Sequence, residues 1–115
     1  MTVEPINLAA KLDSISTHWS PYVVASDDVM VVKVKGEFNW HSPPDTDDLF
    51  VVLKGQIDIE MRDQTLTLNT GDLFVVPCGV KHRPVARDEV HLLLIEPRGT
   101  PNTGDPDTAA PKPRI

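Results

Sequence analysis

The sequence predicts an all-β fold, a sandwich or barrel of short strands preceded by one short N-terminal α-helix. Three observations carry this. β-Branched or alternating runs recur from Tyr22 to Ile95. Glycine or proline punctuates them about every 8–12 residues, the rhythm of a sandwich or barrel. Only residues 6–15 place apolar side chains at helical spacing. With 115 residues, the chain is one domain with one core.

In the helix, Leu8, Leu12 and Ile15 fall at i, i+4 and i+7 and share a face, and Asn7 is placed to cap the start. So short a helix needs a surface to dock on. Tyr22–Ala25 and Val29–Lys35 are strands parted by a Ser-Asp-Asp turn signal, and Leu49–Leu53 is the next. Gln56–Arg62 and Thr65–Leu68 alternate strictly and form a hairpin across Asp63-Gln64. Leu73–Val76 and Val90–Ile95 follow, and the punctuation suggests eight or nine strands in all. The expected organisation is a helix and lead-in over 1–21, a barrel over 22–99 and a tail over 100–115. Rich in proline, the tail is either mobile or laid extended over a surface, where Pro101–Gly104 would reach a pocket or a partner subunit.

Composition narrows the function. The net charge of −6 and the lack of a basic patch argue against nucleic acid as a partner. No apolar run is long enough for a membrane span and no signal-peptide pattern opens the chain. A single cysteine, Cys78, excludes an internal disulfide, so the expected compartment is the cytoplasm. No phosphate-binding glycine motif is present.

Two histidine-bearing segments remain. The first runs from Gly36 through His41 and the acidic stretch Asp45-Thr46-Asp47-Asp48 to Gly55; the second runs from Gly71 through Pro77-Cys78-Gly79 to His82. Imidazoles and a carboxylate brought together on adjacent strands suit a first-row metal ion. The second segment has the form G-x5-P-x-G-x2-H, ending at His82, with Ala86 where an asparagine would follow. The first has the frame G-x5-H-x-H-x3-4-E-x6-G, one residue shorter before His41, with Pro43 in the place of the second histidine and Asp48 in the place of the glutamate.

In these motifs, over residues 30–97, the chain resembles the cupin superfamily, in particular its small single-domain members described as RmlC-like or mannose-6-phosphate isomerase-like. The resemblance implies a cupin jelly-roll β-barrel, a homodimer, and a pocket for a small-molecule ligand. It implies a divalent metal (Fe, Mn, Ni or Zn) at His41, Asp48 and His82. Strand alternation sets Glu37, Asn39 and His41 on one face, with Phe38 and Trp40 on the other. Asn39, Asp45, Asp47, Phe50 and His91 are therefore further candidates for the pocket, although His91, among Leu93 and Ile95, more naturally reads as a packing residue. A thiol mechanism at Cys78 would need a neighbouring base.

Two functions are expected. One is metal-assisted chemistry on a sugar or small organic acid, isomerase-like or oxygenase-like. The alternative is a non-catalytic small-molecule-binding cupin whose metal site has degenerated at Pro43.

Overall fold

The computed structural model describes residues 4–25, 28–43, 47–96 and 112–115. Helix α1 covers Leu8–Asp13. Asn7 caps it, its side-chain oxygen accepting from the Ala10 amide at 2.9 Å. Leu12 and Ile15 are buried against Val24 and Val31, so the short helix is held by tertiary packing.

Seven strands follow among the described residues: β1 (Tyr22–Ala25), β2 (Val29–Glu37), β3 (Asp48–Lys54), β4 (Gln56–Met61), β5 (Thr65–Asn69), β6 (Leu73–Val76) and β7 (His82–Ile95). Every pairing between them is antiparallel. The fold is the jelly-roll all-β class with one short helix.

β7 organises the sheet. It runs for 14 residues. Its second half pairs with β2 on one side and with β3 on the other, in the order β1-β2-β7-β3-β6. Its first half pairs with β4 over His82–Val85, in place of β3, while β2 continues beside it at Val85 and Ala86; β4 in turn carries β5. By changing partner along its length, β7 divides the sheet into two leaves. The main core lies between them: Val34 of β2, Val52 of β3, Ile57 and Ile59 of β4, Val76 of β6 and Val90 of β7 are all but fully buried. The alternation of β4, with Ile57 and Ile59 inward, is the period-two pattern that burial of one face requires.

The strand count differs from the sequence expectation because His82–Glu89 joins Val90–Ile95 in one strand. Pro84 does not break it, sitting opposite Ile59. The last described residues lie against β1. The Val23 amide donates to the Pro113 carbonyl at 2.8 Å and the Ile115 amide to the Val23 carbonyl at 2.9 Å. Pro101–Gly104 lie outside the described residues.

Candidate metal centre

Local backbone geometry brings the two histidine segments together. β2 ends at Glu37, opposite Val85, and the chain continues beside β7 towards its start, the Phe38 amide donating to the Pro84 carbonyl at 3.0 Å. There His41 and His82 form an isolated antiparallel bridge, with each amide donating to the other's carbonyl at 2.8 and 3.0 Å. The turn before His82 is held from outside. The Gly79 amide donates to the Pro43 carbonyl at 2.8 Å, and the Cys78 amide to Asp47 Oδ1 at 2.8 Å. Gly79 takes a positive φ of 82°, which a glycine adopts without strain. Asp48 opens β3 opposite Val76, the residue before Pro77, so its short side chain starts beside that turn.

The result is a cluster in which one ligand atom each from His41, Asp48 and His82 lies within 4.8 Å of the others. The imidazole rings are 4.3 Å apart between centroids. His41 Nδ1 is 2.8 Å from the Asn39 carbonyl and His82 Nδ1 is 3.2 Å from the Val80 carbonyl. A carbonyl only accepts, so each Nδ1 carries a proton and Nε2 is the nitrogen each ring can offer a metal. Burial, and then the neighbouring His41, lower the His82 pKa to about 4. His82 is therefore neutral near pH 7, as a metal ligand must be. Burial raises the Asp48 pKa, opposed by the attraction of His41 and Lys112. Two imidazoles, each presenting Nε2, and one carboxylate are a donor set that fits a divalent first-row ion.

The cluster forms part of the wall of a cavity of about 80 Å3 between the leaves. Phe50, 6% exposed, lines it. Strand alternation misplaced Phe38. It lines the cavity together with His41, because the chain leaves β-geometry after Glu37 and the two-residue period lapses. The side chain of Asn39 is exposed and its contribution is the carbonyl that orients His41. Asp47 is exposed and holds the Cys78 turn. His91 lies away from this cavity and bonds Glu89 at 3.1 Å, as does His18 at 2.8 Å. These two bonds hold the Glu89 carboxyl down to about 2. Cys78 is exposed and does not line the cavity. Asp45 lies outside the described residues.

Sequence reasoning missed two contributors. Trp19, from the lead-in after α1, stacks on Phe38 at 4.8 Å and donates from Nε1 to the Lys35 carbonyl at 2.7 Å. It closes one side of the cavity. Its position just before Ser20-Pro21 held no periodic signal. Glu96 also lines the cavity, although only 7% exposed. Burial raises its pKa to about 7, outweighing the attraction of Lys112, whose Nζ is 3.5 Å away. Lys112 also pairs with Asp28 at 3.6 Å. Glu96 follows the last residue of β7, and only the fold shows that it reaches the cavity.

A family model described as a cupin domain matches residues 28–96. The chain is a cupin. A cupin-2 domain protein from Shewanella frigidimarina is 45% identical with a TM-score of 0.79, over 81% of this chain and 94% of that one. The protein NMB1881 from Neisseria meningitidis is 30% identical with a TM-score of 0.76, over 82% and 99%. Uncharacterized protein YdbB of Bacillus subtilis (strain 168) is 43% identical over 49 residues, which are 42% of this cupin and 43% of that protein. The cupin matched here thus spans less than half of that curated relative. No helix among the described residues is long and apolar enough to cross a membrane.

Proposed function

We propose that this cupin binds one divalent metal ion at His41, Asp48 and His82 and uses it on a small molecule held in the adjoining cavity. The observation that carries the proposal is the convergence of two imidazoles, both oriented through Nδ1 by backbone carbonyls, and one carboxylate within 4.8 Å. Fe, Mn, Ni and Zn all suit nitrogen and carboxylate donors. When bound, such an ion supplies Lewis-acid polarisation of an oxygen, as isomerase-like or oxygenase-like chemistry requires.

The chain's own residues set the rest. The Asn39 and Val80 carbonyls keep the imidazoles oriented. Trp19 and Phe38, stacked on each other, form an aromatic part of the cavity wall. Glu96, buried and with its pKa near neutrality, is placed to hold or release a proton inside the cavity.

Elemental mass spectrometry of untagged protein tests the metal. About one ion per chain, lost in His41→Ala and in His82→Ala, is the expected result. Wild-type protein that stays metal-free after incubation with iron, manganese, nickel and zinc would leave the second reading, a binding cupin with a degenerate site. Pro43 favours that reading: it stands where the resemblance places a histidine, and its carbonyl is engaged by Gly79. A homodimer in the cytoplasm belongs to the same proposal. The exposed Leu73 on the edge strand β6 supports self-pairing, and light scattering measures it.

A further inference from the structure

The composition of the cavity wall points to a substrate class. Of its sixteen lining residues, twelve are apolar and four ionisable: His41, Asp48, His82 and Glu96. Among the described residues, no lysine, arginine, serine, threonine, asparagine, glutamine or tyrosine lines it. Among the described residues, the polar side chains of the wall are therefore those of the metal-binding cluster and Glu96, and the other side chains are hydrocarbon or aromatic.

We infer that the ligand is a small molecule with one polar head group and an apolar body, and that sugars and sugar phosphates are excluded. The inference rests on the reading of the His41–Asp48–His82 pocket as the ligand site. A sugar carries several hydroxyls. Each one buried without a partner costs about 1–3 kcal/mol, and walls such as Val34, Ile57, Ile59 and Leu92 offer no partner. A phosphate is recognised by Arg or Lys side chains, or by the N-terminus of a helix. Arg83, next to His82 on β7, is bonded to Glu60 and Glu37 and stacked on Trp40.

Isobutanol, with one hydroxyl and a branched apolar body, is the probe, and mannose 6-phosphate is its competitor. Methyl-labelled protein is titrated with each, first after chelation and then with one equivalent of zinc. The expected result is saturable shifts from isobutanol at the methyls of Val34, Ile57, Ile59 and Leu92. Those of Leu12 and Ile15 in the second core cluster, which the cavity does not reach, stay unmoved. Mannose 6-phosphate should bind at least tenfold more weakly. Val34→Ile and Leu94→Phe, which narrow the cavity, should each weaken isobutanol binding, and the methyl spectrum itself shows whether each variant is folded. Tighter binding of mannose 6-phosphate, or no saturable isobutanol shift, overturns the substrate class while leaving zinc uptake to be judged separately. Failure to take up zinc with isobutanol still bound would remove the metal and keep the apolar ligand.

Discussion

Glu96 and His82 are both buried in the same cavity, and burial moves their pKa values in opposite directions. His82 falls from its ordinary 6.5 to about 4. Its contribution to stability is complete above the unfolded value near 6.5 and is lost as pH falls towards 4. Glu96 rises from 4.5 to about 7. Its contribution is complete below the unfolded value near 4.5 and is lost as pH rises towards 7. Between about pH 4.5 and 6.5 the two slopes oppose each other and flatten the profile of the metal-free protein. Glu96→Gln removes one of them. Urea unfolding in chelator should show the variant gaining on the wild type by roughly 2 kcal/mol between pH 4.5 and 7. Parallel profiles would mean that Glu96 is not destabilised by burial. A second prediction concerns Pro43: Pro43→His should tighten zinc binding at least tenfold in a competition assay, because the residue is buried beside the turn that carries His82. Unchanged affinity would show that the added imidazole cannot reach the cluster. The three cluster residues were legible in sequence because motif spacing records them. Glu96 and Trp19 were not, because their roles arise only when the end of β7 and the lead-in close on the same cavity.

The turn between β3 and β4 shows what one glycine does for an element. Gly55 has a φ of +98°, and a Cβ there would lie 3.1 Å from Val90 Cγ2 and 3.3 Å from the Glu89 carbonyl oxygen. Gly71 has a similar φ of +92°, but a Cβ there meets nothing within 4 Å. Both Gly→Ala changes strain the backbone, by about 1 kcal/mol or more. Only Gly55→Ala also pushes against β7, so it should cost at least about 1 kcal/mol more than Gly71→Ala in equilibrium unfolding. Equal losses would show that Val90 yields without resistance. At this scale the sequence was most legible where alternation was strict, as in the β4–β5 hairpin. It was least legible over His82–Glu89, where Pro84 and the charged run Arg87-Asp88-Glu89 look like a loop. Pairing with β2 and β4 overrides that local signal and makes the segment the first half of β7.

At the scale of the whole molecule, the pairing pattern implies an order of opening. The second half of β7 is hydrogen-bonded on both sides, to β2 and β3, and its inward residues belong to the main core. Edge strand β1 has one strand neighbour, β2, and its other side is met by residues 113–115. This second contact is tied to the molecule through Lys112, whose ammonium stands between the buried carboxylates of Asp28 and Glu96. Removing one member of a buried ion pair leaves its partners without compensation. Lys112→Met should therefore loosen the end of the chain before it loosens the sheet. Amide hydrogen exchange resolves the two. In the wild type, the amides of Leu92 and Leu94 should exchange only through global unfolding, whereas those of Val23 and Ile115, which bond across the β1 contact, should exchange earlier and together. In Lys112→Met, Val23 and Ile115 should exchange at least tenfold faster, while Leu92 and Leu94 follow only the change in global stability. Unchanged protection at Val23 and Ile115 would show that the backbone bonds alone hold the C-terminal residues, and that Lys112 serves the Asp28–Glu96 pair without anchoring the chain end.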